Sequence, residues 1–233
     1  MYCFYIYSKN LLFMRYFILI LSTLIVIYAC QPSRNNEENI TTEENSAVNE
    51  APQETDTIII DSSYTFAEAI EGANAPKEVI DELELINVTY ISTDNKLHQG
   101  QILTSKELVT DIKELFQLML EHEFVIEKAI PIVAFNWSDS LSMANNNTYS
   151  FCYRNVSYSL HAKGRAIDIN PRFNPLRWKT ENLPNQPLGA VLDTTVNGTL
   201  YPSHPIVKGF KKRGFRWGHY FSKYWDDHHF DKK

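Results

Sequence analysis

Three kinds of hydrophobic patterning follow one another along the chain. Residues 16–29 form an almost unbroken apolar run, residues 31–57 hold scarcely an aliphatic, and from Ile58 to Lys233 apolar positions recur at the spacings of helices and strands. In that last region APKEVIDELELI (75–86) carries apolar residues at helical spacing behind Pro76. This predicts a helix running into NVTYIS (87–92), which alternates as a strand. The turn-like TDNK and the strand-like HQGQILT (98–104) complete a hairpin. Thr104 or Ser105 is placed to cap the next helix, SKELVTDIKELFQLMLEHE, on which Leu108, Ile112, Leu115, Phe116 and Met119 share one core-facing side.

Further on, IPIVAF (130–135) reads as a buried strand. WSDSLSMANNNTYSFCYR (137–154) is too polar and Asn-rich for a regular element until its last residues turn strand-like, and a loop of that length in a compact domain is usually functional or disordered. NPRFNPLRWKTENLPNQP is proline-rich loop, HPIVKGFKKRG (204–214) a short helix closed by Gly214, and FRW and HHFD short strands. Helices and antiparallel strands in irregular order predict an α+β class. The expected architecture is a single domain over 58–233 with a small antiparallel sheet flanked by helices.

Charge and targeting signals account for what precedes Ile58. Arg15, the apolar run and the small Ala29 before Cys30 have the order of a secretory leader, so residues 1–30 are expected to be a signal peptide. The run is short for a helix of about 20 residues crossing the bilayer, although an uncleaved anchor and a buried core helix stay open. Ile27-Tyr28-Ala29-Cys30 resembles the lipobox of bacterial lipoproteins, which implies lipidation of Cys30 and attachment to the membrane of the cell envelope. Residues 31–57 carry seven acidic side chains against Arg34 and cannot bury enough apolar surface to offset ordering entropy, so they read as a disordered tether. Most of the net charge of −6 therefore belongs to the tether. The near-neutral domain has no electrostatic footprint for nucleic acid. With Cys3 in the leader and Cys30 lipidated, Cys152 is left without an intramolecular disulfide partner.

Two stretches carry candidate chemistry. SLHAKGRAIDIN (159–170) holds His161 and Asp168 around Gly164, whose freedom of φ allows a turn between them. A hydrolytic zinc site needs three protein ligands and an open position, commonly His nitrogens with a carboxylate. The pair alone fits equally a satisfied polar turn. WDDHHFD (225–231) supplies Asp226, His228, His229 and Asp231, with either histidine available as a third ligand.

Together these stretches resemble the zinc D-alanyl-D-alanine peptidases. S-L-H-A-K-G-R-A-I-D resembles that family's Ser-x-His-x-x-Gly-x-Ala-x-Asp signature. W-D-D-H-H-F-D resembles its closing motif, an acid, two variable residues and His-Phe-acid, and SMANNNTYSFCYR and AIDINPRFNP are similar to segments of one branch. The resemblance runs from about residue 85 to the end. It implies a Hedgehog/DD-peptidase-like fold, a Zn2+ ion on His161, Asp168 and His229, Asp226 as catalytic base, and Arg154 stabilising the developing oxyanion. The family register prefers His229 to His228, since it alone lies three residues after Asp226 and directly before Phe230-Asp231. Ser159, Ser142, Asn146 and Asn147 are candidate substrate-binding groups. Trp217-Gly218-His219-Tyr220-Phe221 departs from the Trp-Gly-Gly-x-Trp of many relatives, so the cleft wall near the base is expected to differ.

The expected activity is hydrolysis of an amide bond in peptidoglycan stem peptides, with D-Ala-D-Ala carboxypeptidase foremost and L-alanyl-D-glutamate endopeptidase second. An inactive peptidoglycan- or partner-binding module and a structural envelope lipoprotein are the rivals. The chain is expected to act as a monomer.

Overall fold

A hairpin of two nine-residue strands organises the fold. The computed structural model describes residues 57–233; the expected leader, the lipidation at Cys30 and all of the tether but Thr57 lie outside them. In chain order the elements are β1 (Ile59–Ile60), α1 (Phe66–Ala69), α2 (Lys77–Ile80), β2 (Leu83–Ile91), β3 (Leu97–Ser105), α3 (Val109–Glu121), β4 (Lys128–Ala129), α4 (Asp139–Ala144), β5 (Asn147–Thr148), β6 (Ala166–Asp168), β7 (Leu176–Trp178), α5 (Pro205–Lys212), β8 (Arg216–Trp217), β9 (Tyr224–Asp226) and β10 (His229–Asp231). Among the described residues no helix is long and apolar enough to cross a membrane.

β2 and β3 pair antiparallel over their full length, Leu83 opposite Ser105 and Ile91 opposite Leu97, and β1 adds to β3 in parallel. The helix expected over 75–86 shrinks to the single turn of α2, because from Leu83 onward the backbone is taken by this pairing. Alternation then sends Leu83 and Leu85 to one apolar cluster with Leu103 and Phe151, and Ile86, Val88 and Tyr90 to the main core. Both faces of β2 are covered, which is why its sequence mimics helical spacing.

α3 lies across β2 and buries Ile112, Leu115, Phe116 and Met119, with Leu108 in the preceding 3-10 turn, as the stripe predicts. The expected side-chain cap does not form. Ser105 occupies the N-cap of that turn without a side-chain bond, and the Thr104 hydroxyl donates instead to the Gly164 carbonyl at 2.9 Å.

Two further expectations give way to side-chain chemistry. IPIVAF is a 3-10 turn, Ile132–Phe135, and not a strand. The Asn147 side chain takes both backbone groups of Ile130 (N–H to Oδ1 2.9 Å, Nδ2 to O 2.9 Å), and Pro131 has no N–H, so pairing stops at Ala129. The polar stretch from Trp137 is not all loop, since Ser138 accepts from the Leu141 N–H and starts α4. The proline-rich stretch after Asn170 contains β7. α5 forms where expected, and Gly214 follows it at φ +85°.

The class is α+β, but the expected single sheet is divided among four small ones in the described residues: β1-β3-β2, the antiparallel β6-β10-β8, and the ribbons β4-β5 and β7-β9. β10 is the centre of the second sheet. Phe230 faces the core there, stacked between Phe210 of α5 (centroids 3.9 Å) and Trp217 of β8 (5.9 Å). Cys152 is a buried free thiol packed with Ile132 and Tyr149.

Candidate metal centre

Strand register brings the candidate ligands together. β10 and β6 pair antiparallel with His229 directly opposite Asp168, and side chains of directly opposed residues lie on the same face of a sheet. Asp168 is held from the other side as well, its N–H and carbonyl exchanging bonds with Tyr149 at 2.9 and 3.2 Å. His161 arrives from the 3-10 turn His161–Lys163, closed by Gly164 at φ +64°. A Cβ on Gly164 would lie 2.7 Å from the Ser105 nitrogen and 2.8 Å from Leu83, so both the left-handed backbone and the close approach require glycine.

The result is a triangle of donor atoms. His161 Nε2 lies 3.1 Å from His229 Nδ1 and 3.2 Å from Asp168 Oδ1, and His229 Nδ1 lies 3.0 Å from the same oxygen. These edges are close to the about 3.3 Å expected between ligands of a tetrahedral ion at roughly 2.0–2.1 Å. Among the described residues this is the His/Cys/Asp/Glu group able to hold a metal ion.

The outer nitrogen of each imidazole is engaged. His161 Nδ1 donates to the Ser150 carbonyl at 2.7 Å, which leaves Nε2 as the lone-pair atom. His229 Nε2 lies 3.2 Å from Asp231 Oδ2, and Arg216, opposite Asp231 on β8, grips that carboxylate at 2.6 and 2.7 Å. Such outer partners fix the tautomer and ring orientation of metal-binding histidines. Tyr149 stacks on His161 (centroids 5.2 Å) and its hydroxyl donates to Asp139.

The electrostatics favour positive charge here. Burial alone would raise the Asp168 carboxyl, but His161 and then His228 hold it well below the usual range. Burial pushes the His229 imidazole down, yet hydrogen bonds to Asp168 and Asp231 and the nearby carboxylates raise it to about 10. Two imidazole nitrogens and a carboxylate oxygen turned to one point are the donor set for a divalent ion, with zinc the match for two nitrogens and one oxygen.

A cavity of about 610 Å³ opens over the triangle. Asp226 and Arg154 line it, Asp226 set by its pairing with Leu176 and Arg154 3.3 Å from Asp139. Ser159 is at its edge. The other three expected substrate contacts lie off the cavity, fully buried. Ser142 and Asn147 bond each other at 3.0 Å. Asn146 donates to Glu127 at 2.6 Å and accepts from the Arg172 N–H at 2.7 Å. With their polar atoms used to tie β4, β5 and the Pro171 turn together, they shape the scaffold.

His228 does not join the triangle. Its Nε2 is 3.9 Å from Asp168 Oδ2 and 2.9 Å from Asp226 Oδ1, and its Nδ1 donates to the Asn174 carbonyl at 2.7 Å. The departure at His219 has a structural use, since its Nδ1 lies 2.6 Å from Asp227, which Arg177 also binds at 2.8 Å.

Residues 154–232 match the family model described as D-alanyl-D-alanine carboxypeptidase. That stretch is similar to the D-alanyl-D-alanine carboxypeptidase family. The matched segment contains Arg154, His161, Asp168, Asp226 and His229, and stops short of the hairpin and α3 on which the site rests. No curated protein and no solved structure matches the chain significantly. The family match and the geometry thus point to the same candidate metal centre.

Sequence reasoning did not single out Arg216 or the Ser150 carbonyl. Asp231 was visible as part of the closing motif, and its spacing of two from His229 in a strand already places both on one face. The Ser150 carbonyl has no signal in the sequence, because any residue supplies that atom.

Proposed function

We propose that this chain is a zinc-dependent peptidase hydrolysing an amide bond in peptidoglycan stem peptides, acting as a D-Ala-D-Ala carboxypeptidase. The observation that carries the reading is the triangle of His161, Asp168 and His229 donor atoms, 3.0–3.2 Å apart, at the floor of a cavity walled by Asp226 and Arg154. Zinc held there supplies a Lewis acid that acidifies water and polarises a carbonyl. Asp226 acts as the base, taking a proton from the attacking water and returning it to the leaving amine. Asp226 stands on the cavity wall, within reach of a water held there. Arg154, always charged and on the cavity wall, stabilises the developing oxyanion.

Cation placement supports the carboxypeptidase form. Lys223 lines the same cavity without a carboxylate partner among the described residues, so positive charge is free for the terminal carboxylate of a D-Ala-D-Ala peptide. The sheet carrying His229 and Asp168 is in keeping with a Hedgehog/DD-peptidase-like fold. The leader-like run ahead of Cys30 supports attachment to the membrane of the cell envelope through lipid, with the enzyme acting as a monomer at the end of a tether.

Incubating the zinc-loaded protein with defined muropeptides and weighing the products tests the reading. Release of D-Ala is expected; cleavage before D-Glu moves the specificity to the endopeptidase, and no product from any stem peptide favours a binding module. His161→Ala should lose the metal, and Asp226→Ala should keep it but lose hydrolysis. A wild-type protein that takes up no zinc under metal-replete conditions overturns the assignment.

A further inference from the structure

The position of His228 is not explained by metal binding. The side chain is 4 % exposed, and both ring nitrogens are engaged on opposite sides. Nδ1–H donates to the Asn174 carbonyl at 2.7 Å, while Nε2 stands 2.9 Å from Asp226 Oδ1. The anchor is itself rigid. Asn174 is fully buried, its Nδ2 donating to the carbonyls of Ile169 (3.0 Å) and Gly198 (3.0 Å) and its Oδ1 accepting from the Leu200 N–H at 2.6 Å. On the other side, Asp226 Oδ1 is buried and forms no well-aligned hydrogen bond, so His228 is the group that faces it. Register with Leu176 places the backbone of Asp226, but register does not determine which way its carboxylate turns.

We propose that His228 is a positioning residue for the base: braced on the Asn174 carbonyl, it holds Asp226 Oδ1 through Nε2 and leaves the other carboxylate oxygen facing the cavity. The inference rests on the reading of Asp226 as base. A histidine serving only to fill the core would be satisfied by the Asn174 bond, and would not need its second nitrogen between two carboxylates. A fourth ligand would have to leave Asp226, which is nearer to it than Asp168 is.

Two substitutions separate the two bonds. In His228→Asn the amide nitrogen replaces Nδ1 and keeps the bond to Asn174 but cannot reach Asp226. In His228→Gln it replaces Nε2 and can reach it. The full-length zinc-loaded protein, its two variants and Asp226→Asn are compared for zinc per chain, thermal unfolding, and kcat and KM on a D-Ala-terminated stem peptide. His228→Asn should keep its zinc and KM and lose kcat by about 10²-fold, within the range for a general base. His228→Gln should recover at least roughly tenfold of that loss. Added to Asp226→Asn, either change should cost little more, because groups that act as a unit are non-additive. Should His228→Asn fail to fold, the cycle of His228→Gln with Asp226→Asn carries the same information: additive losses overturn the proposal. Full kcat in His228→Asn overturns it, as do equal losses in both variants or loss of zinc with His228. An Asp226→Asn protein that still hydrolyses peptide removes instead the reading of Asp226 on which the inference stands.

Discussion

Asp231 Oδ2 lies 3.2 Å from His229 Nε2, on the side of the ring away from Asp168. Because Arg216 binds the same carboxylate at both oxygens, the acid has little freedom, and its own affinity for protons is lowered by His229 and Arg216 against the effect of burial. Asp231→Asn should therefore weaken zinc binding by about 10- to 100-fold while the fold survives. Competition with a chelator of known affinity measures it, and an unchanged zinc affinity would remove Asp231 from the site.

Gly218 sits where the chain turns beneath the base. A Cβ there would lie 2.7 Å from both the Cβ and the carbonyl oxygen of Asp226 and 3.1 Å from the His229 Cβ, and the backbone contact cannot be relieved by rotating a side chain. Gly218→Ala is expected to cost about 1–3 kcal/mol of stability and to displace base and ligand together. Urea unfolding and kcat should both fall; a variant with wild-type activity would show that the turn yields.

Asn174 concentrates polar bonds in the core, serving Leu200, Ile169 and Gly198 at once. Asn174→Ala strands a buried N–H and several carbonyls, for a loss of about 1–3 kcal/mol. The denaturation midpoint is the measurement, and a shift too small to resolve would contradict the burial described.

His204 makes one part of the stability pH-dependent. It caps α5, its Nδ1 accepting from the Ile206 N–H at 3.2 Å, and burial, with His122 nearby, lowers its pKa below the usual 6.5. The unfolded chain thus binds this proton more readily than the folded one. The contribution is complete above pH 6.5 and is lost as pH falls through that value toward the lower folded pKa. His204→Asn, which keeps a capping oxygen, should unfold at a lower temperature for want of the Tyr201 and Phe124 ring contacts, yet lose less than the wild type between pH 8 and about 5. Parallel pH profiles for the two proteins would disprove the assignment.

Legibility followed the range of the interactions. The α3 stripe was readable because helix periodicity is local, and α5 because Pro205 and Gly214 mark its ends. IPIVAF was misread because the side chain that ends its pairing, Asn147, comes seventeen residues after Ile130. The start of β2 was misread because two separate clusters take its alternate faces. Ser142, Asn146 and Asn147 looked like substrate contacts because polar side chains that stitch a scaffold carry the same letters as those that bind a ligand.

The chain's letters were enough to single out His161, Asp168, His229 and the acid three residues before the last of them as candidates for a metal site. They did so because those residues must be chosen for chemistry whatever surrounds them. The closing motif already favoured His229 over His228; only the tertiary structure shows how the two neighbouring rings part. The register opposing His229 to Asp168 across β10 and β6, sixty-one residues apart, turns one imidazole to the metal face and leaves its neighbour braced between Asn174 and Asp226. That arrangement depends on which strands pair, and no local pattern carries it.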